Sequence, residues 1–198
     1  MAKPVESIVK AILGKNGREA KLLAAIEYGW ARWKVHPDHL KFRRGCTRAS
    51  LVWEATVEKG IELFAGDDGV RASEEHDTVT LIFDGTVLLR FKKADAKLYT
   101  RNYPTLLAEL FHKTEPNLFG FPDEQRVEAV YVLNQYQTEI VWSGIVARDG
   151  SDVIWSFEFS APKPMKLRPE AEKKSTATLA KVKKPAEEKN DKKSSGGN

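Results

Sequence analysis

Two groups of basic residues are the clearest candidates for chemistry in this sequence. The first group spans residues 32–48 and is relieved only by Asp38, and the second spans residues 90–101 and is relieved only by Asp95. Guanidinium groups present forked donors that match phosphate and carboxylate oxygens. If both groups meet on one surface, they form a binding site for an anionic partner, and its residues are Arg43, Arg44, Arg48, Arg90, Lys92 and Lys93. The competing interpretation is a solvated rim whose charges pair with nearby acids.

A metal-dependent nuclease is an alternative that uses part of the same segment. Carboxylates that hold Mg²⁺ next to a lysine polarise a phosphodiester. The candidates are Glu58, Glu62, Asp77, Asp84 and Lys92. Their order, helix acid, strand acid, lysine, resembles the PD-(D/E)XK nuclease superfamily. The position two before Lys92 is Arg90 instead of an acid, so the resemblance implies at most a degenerate member.

Histidine and cysteine residues give little support for a metal or a nucleophile. His36 and His39 lie close in sequence and Cys46 follows, but structural zinc needs four ligands and no second short-spaced pair occurs. Cys46 lies near a predicted helix start beside arginines, which favours the thiolate, yet no base can be assigned to it. We therefore expect no metal, no cofactor and no catalytic residue.

Aromatic residues on the later predicted strands have two interpretations. They either stack on nucleic-acid bases or pack as one face of the sheet, and the second is the ordinary outcome. The residues are Tyr131, Tyr136, Trp142, Trp155 and Phe157.

A β-hairpin around Asp84-Gly85 is the element that must position the second basic group. Apolar runs flank this pair, which suits a type I′ turn because both residues accept a positive φ. Pairing across a two-residue turn places Leu88 on the same face of the sheet as Leu81 and Phe83. The other face then carries Ile82 together with Val87, Leu89 and Phe91. A hairpin that is apolar on both faces is typical of a sheet covered on both sides.

The spacing of apolar residues in the rest of the chain predicts an α+β fold, with N-terminal helices packed on an antiparallel sheet of about five strands. Helices are expected over residues 5–13, 18–34, 47–64 and 104–112, and further strands over 127–134, 139–148 and 152–159. On the third helix the expected buried stripe includes Trp53, Thr56, Gly60 and Ile61. The acidic stretch 74–77 is expected to be a connection into the hairpin.

Charge is distributed unevenly along the chain. The net charge is +4, but the residues from Lys163 onward hold 11 Lys and Arg against 5 Asp and Glu, so the preceding body carries −2. With almost no large apolar residue, this segment cannot offset its ordering entropy. The sequence predicts a single domain over residues 1–162 and a disordered Lys-rich tail over 163–198.

The sequence favours a cytoplasmic protein, because it has a single cysteine and its N-terminus is not an apolar leader. It has no apolar run of about 20 residues, so we expect no membrane-spanning helix. Four segments resemble a family of uncharacterised bacterial proteins, a resemblance that implies no activity and no site residues. They are F-R-R-G-C-T-R-A-S (42–50), L-L-R-F-K-K (88–93), N-Y-P-T (102–105) and V-Y-V-L-N (130–134).

The function these features favour is a non-enzymatic binding or regulatory protein with a basic surface for nucleic acid or an acidic protein. The alternatives are the degenerate nuclease and an antitoxin-like factor or inhibitor that acts on a partner protein.

Overall fold

A computed structural model of this chain describes residues 3–75, 77–100, 111, 124–150 and 152–160. Within these ranges there are three α-helices: α1 (Glu6–Leu13), α2 (Arg18–Lys34) and α3 (Gly45–Phe64). The strands are β1 (Val70–Glu75), β2 (Thr78–Phe83), β3 (Val87–Ala94), β4 (Gln125–Leu133), β5 (Ile140–Asp149) and β6 (Asp152–Glu158). The predicted α+β class is confirmed.

The six strands form one sheet in the order β1-β2-β3-β4-β5-β6. All neighbours are antiparallel except β3 and β4, which are parallel, so the sheet is mixed instead of purely antiparallel. A parallel pair needs a long crossover, and residues 95–124 supply it. The additional strand is β1, which includes Glu74 and Glu75 from the stretch that was expected to be a connection.

Two predictions fall outside the described residues. One is the fourth helix over 104–112, of which only Phe111 is described, as a buried helical residue. The other is the tail over 163–198, so the domain boundary at residue 162 stays a prediction. No helix in the described ranges is long and apolar enough to cross a membrane.

Helices α2 and α3 pack closely against each other. A Cβ added at Gly29 would overlap Thr56 Oγ1 and lie 2.7 Å from the carbonyl oxygen of Val52, so a larger residue would push the helices apart. The buried residues of α3 are Val52, Thr56, Val57, Gly60 and Phe64. The expected stripe was therefore partly wrong, because Ile61 is 42% exposed and Trp53 is only half-buried.

The sheet has two faces, and the helices cover one of them, here named the helix face. Its core unites apolar residues of α1, α2 and α3 with alternate residues of the strands. The opposite face, here named the far face, carries two smaller apolar clusters. These are Ile82, Leu88 and Phe111, and Ala94, Val130, Val132 and Val146.

The hairpin turn is confirmed, but the expected faces of β3 were wrong. Asp84 and Gly85 have φ of 49° and 63°, as a type I′ turn requires. Phe83 pairs with Val87, so three residues, not two, separate the paired positions. Since a shift of one residue exchanges the two faces of a strand, Val87 joins the helix face and Leu88 joins Ile82 on the far face.

Candidate anion-binding surface

The N-terminal end of α3 carries positive charge, and its first turn has no acidic residue. Arg44 is the N-cap residue, and its side chain makes no capping hydrogen bond. The unpaired backbone N–H groups of such a turn add the positive end of the helix dipole. Arg43 and Arg44 are exposed, and neither has an ion pair or side-chain hydrogen bond in the part of the chain that the structure describes.

Arg48 and Lys93 come together at the side chain of Gln137. Arg48 Nη2 donates a hydrogen bond to Gln137 Oε1, and Lys93 Nζ lies 3.5 Å from the same oxygen. Arg44 is the N-cap residue of α3 and precedes Arg48, which lies in the first turn of the helix, by four residues. We name Arg43, Arg44, Arg48 and Lys93 the α3 basic surface. Because an amide oxygen is neutral, Gln137 brings two cations together and adds no negative charge of its own.

The turn between β4 and β5 fixes the position of Gln137. Asn134 donates its backbone N–H to Glu139 O at 3.0 Å, and its Oδ1 accepts the backbone N–H of Thr138 at 2.9 Å. The backbone N–H of Gln137 donates to Asn134 O at 2.9 Å, and Gln137 has a φ of 57°. Sequence reasoning did not identify Gln137, because a polar run between two strands marks a turn without showing what its side chains contact.

Tyr131 lies beneath this surface and contributes no negative charge to it. The residue pairs with Lys93 across β3 and β4 and is 5% exposed. Burial raises the pKa of the Tyr131 phenol, and the nearby positive charge of Arg48 only partly opposes that rise. The phenol therefore stays protonated at neutral pH and does not offset the charge of Arg48.

Arg90, one of the six predicted binding residues, is buried on the far face. It is 7% exposed, its Nε donates to Thr80 Oγ1 at 3.0 Å, and its guanidinium carbon lies 4.0 Å from the ring centroid of Phe111. Burial, helped by repulsion from Arg126, lowers the pKa of Arg90 to about 10, although the charge of Glu128 opposes this. Arg90 is therefore a packed residue.

Lys92 is also on the far face, because side chains alternate along β3. Burial lowers the pKa of its amine, and the charge of Glu128 only partly opposes this. Glu128 itself accepts a hydrogen bond from Arg148 Nε at 2.8 Å and one from Thr100 Oγ1 at 3.0 Å. The six predicted residues therefore do not share one surface: the sheet separates Arg90 and Lys92 from Lys93 and Arg48.

Two of the four acids of the nuclease alternative, Asp84 and Glu62, form ion pairs with cations other than Lys92. Asp84 binds Arg18 Nη2 at 2.9 Å and Lys15 Nζ at 2.7 Å, and Glu62 pairs with Lys59 on the surface of α3. Within the described ranges there is no group of three or more His, Cys, Asp or Glu that could hold a metal ion.

The two neighbouring histidines stabilise the loop after α2. His36 Nδ1 accepts the backbone N–H of Asp38 at 3.1 Å, and His39 Nδ1 lies 2.8 Å from His36 O. Both rings pack beside Trp33, with centroids 6.5 and 6.1 Å away. Cys46 is exposed at the start of α3.

Four of the five aromatic residues considered for base stacking pack against the sheet. Tyr131 is buried, Trp155 and Phe157 stack on each other at 6.0 Å against the helix face, and Trp142 packs on the far face. Only Tyr136, in the turn before Gln137, is widely exposed, at 76%. These five residues therefore do not form an exposed surface on which bases could stack, because four of the side chains pack against one face of the sheet or the other.

A buried ion cluster that sequence reasoning missed lies at the opposite end of α3. Arg18 binds both Asp67 and Asp84 beside a polar cavity of about 420 Å³. These contacts lower the pKa of both carboxylates and raise that of Arg18. Lys15, which also pairs with Asp84, supplies the second positive charge, so two cations balance two carboxylates and the cluster is structural.

Comparisons of the chain with known protein families, with curated proteins and with solved structures find no match. The resemblance to uncharacterised bacterial proteins stays a prediction.

Proposed function

We propose that this protein is a non-enzymatic binding or regulatory protein of the bacterial cytoplasm that holds an anionic partner on the α3 basic surface. The observation that carries the proposal is the convergence of Arg48 and Lys93 on the neutral oxygen of Gln137. Four of the six residues predicted from the sequence remain in this surface. Arg90 and Lys92 do not belong to it, because they face the other side of the sheet.

The surface supports the proposal because its charges are concentrated and its arginines are not neutralised. Arg43, Arg44 and Arg48 have no ion pair with any acid that the structure describes. Elsewhere on the surface lysines do have such partners, for example Lys10 with Glu6 at 2.6 Å and Lys59 with Glu62 at 2.7 Å. Exposed arginines beside a helix N-terminus are suited to phosphate or carboxylate oxygens.

The test is a binding titration of the full chain with labelled polyanions, followed by fluorescence anisotropy. The probes are a 20-nucleotide single strand, a 20-base-pair duplex and poly-glutamate. We expect Arg44→Glu/Arg48→Glu to weaken binding at least tenfold and to reduce the slope of log K against log salt by about 2, since each phosphate contact contributes about one unit.

The matched control is Lys10→Glu/Lys59→Glu, which changes the net charge equally at two lysines that already have acidic partners. The Lys-rich tail is identical in all variants, so its attraction for polyanions does not contribute to the difference between them. Equal weakening in both double variants, with native circular dichroism, would show that only net charge matters and would overturn the proposal. Binding to none of the three probes would do the same.

A further inference from the structure

We propose that the anionic partner is a single-stranded nucleic acid and that Tyr136 stacks on one of its bases while the α3 basic surface holds its phosphates. This inference rests on the proposed function and specifies the partner. Its structural basis is the position of Tyr136 directly before Gln137, the residue that contacts both Arg48 and Lys93.

Tyr136 is an aromatic residue that the fold does not use. Its side chain is 76% exposed, and it forms no hydrogen bond, ring contact or cation–π contact with any residue in the described ranges. Tyr28, by comparison, is 37% exposed and lies beneath the ammonium of Lys59, 5.3 Å from the ring centroid. An aromatic ring presented to solvent has its whole face available for a ligand.

The turn that carries Tyr136 is held by its own hydrogen bonds. Asn134 Nδ2 donates to Thr138 Oγ1 at 2.8 Å, in addition to the backbone bonds that close the turn around Gln137. A backbone fixed in this way lowers the entropy cost of ordering the ring when a ligand binds. The backbone that carries Tyr136 is therefore held in place directly before Gln137 in the absence of a ligand.

The combination of charge and ring favours a single strand over the other polyanions. Single-stranded binding proteins combine a basic groove for the backbone with aromatic rings on which unpaired bases stack. In a duplex the bases are already stacked on each other, so an exposed tyrosine has no base face to contact. An acidic protein would use the arginines but gives no specific role to the ring.

The experiment compares Tyr136→Ala with the wild-type full chain by anisotropy, using a labelled 20-nucleotide oligothymidylate. Loss of one stacked base is expected to weaken binding roughly tenfold, whereas Tyr136→Phe retains the wild-type affinity because its ring is intact. The slope of log K against log salt should not change in Tyr136→Ala, because no charge is removed. Tyr28→Ala is the control, since Tyr28 lies beside Lys59, eleven residues or about 16 Å along α3 from Arg48.

The outcomes separate this inference from the proposed function. If Arg44→Glu/Arg48→Glu weakens binding but Tyr136→Ala binds oligothymidylate like the wild type, the stacking inference is overturned and the proposed function stands. The same holds if the duplex or poly-glutamate binds as tightly as the single strand. If none of the three probes binds the wild-type protein, both are overturned. A loss in Tyr136→Ala that is also seen in Tyr136→Phe would overturn stacking in favour of a contact through the hydroxyl group.

Discussion

The guanidinium of Arg18 forms a bidentate ion pair with the carboxylate of Asp67. Arg18 Nε lies 2.8 Å from Asp67 Oδ2 and Nη2 lies 2.9 Å from Oδ1, and the two side chains are 2% and 4% exposed. Arg18 also donates to Asp84 Oδ1 at 2.9 Å and to Ile12 O at 3.1 Å. One side chain therefore joins the start of α2 to the end of α1, to the segment after α3 and to the β2–β3 turn.

Replacement of Arg18 should destabilise the fold strongly. Arg18→Met leaves Asp67 buried without a cation, so we expect the free energy of unfolding to fall by about 3–5 kcal/mol in urea titrations. Arg18→Lys should recover only part of this loss, because an ammonium cannot form two parallel bonds. The control is Lys15→Met, which removes an exposed partner of Asp84 and should cost at most about 1 kcal/mol. Equal effects of Arg18→Met and Lys15→Met would contradict this prediction.

The same cluster should make stability depend on acid pH. Hydrogen bonding to Arg18 holds the pKa of Asp67 and of Asp84 below the ordinary value. As pH falls, the unfolded chain takes up protons first, near pH 3.9, while the folded carboxylates stay charged. The stabilisation is therefore complete well above pH 4 and is lost as pH falls through the folded pKa.

Asp67→Asn tests this dependence directly. The difference in the free energy of unfolding between the wild type and Asp67→Asn should be largest near pH 7 and should shrink below about pH 4. Urea titrations at several pH values measure it. A difference that stays constant from pH 7 to pH 2 would mean that Asp67 stabilises the fold through its shape and not through its charge.

The helices and the fold class could be predicted because they depend on local pattern. Apolar residues at helical spacing after Gly17 gave α2 the same bounds, 18 and 34, that the structure has. The face of the sheet on which each strand residue lies depends on turn length and strand pairing, which a local sequence pattern does not show. One additional residue between Phe83 and Val87 exchanged the two faces of β3, and the long connection made β3 parallel to β4.

For the same reason, the sequence predicted only in part which basic residues lie on one side of the sheet. The density of basic residues identified the groups at 43–48 and 90–93, but it does not show which face of the sheet each side chain lies on. Alternation along β3 sends Lys93 toward Arg48 and sends Arg90 and Lys92 to the far face. Gln137 and Arg18 were missed because their roles depend on partners 44 to 89 residues away in sequence, contacts that no local pattern indicates.

Gln137→Glu should weaken binding of polyanions to the α3 basic surface. A carboxylate at this position would pair with Arg48 and Lys93 and compete with the phosphates of a ligand. We expect at least a fivefold loss of affinity for the labelled single strand, with a gain of about 0.2–1 kcal/mol in stability from the new surface ion pairs. Gln137→Asn is the neutral control, since asparagine accepts the positive φ of this position. A similar loss of affinity in both variants would show that the position of the amide matters and that charge competition does not.

Replacement by methionine should have different effects on stability and on polyanion binding at Lys92 and at Lys93, which are neighbours on β3. Lys92 is on the far face, where burial lowers the pKa of its amine, so its charge destabilises the folded state at neutral pH. Lys92→Met should therefore stabilise the protein by about 1 kcal/mol at pH 7 without changing polyanion binding. Lys93→Met should weaken binding and give no such gain, since Lys93 belongs to the α3 basic surface.

The pH dependence of the Lys92→Met effect tests its cause. Because the pKa of Lys92 is lower in the folded state, the wild-type protein loses this proton before the unfolded chain does, and its stability rises as pH increases toward 10.4. The advantage of Lys92→Met should consequently shrink between pH 7 and pH 10 in urea titrations. If Lys92→Met weakened binding as much as Lys93→Met, the two side chains would share a surface in solution, and the separation by the sheet would be wrong.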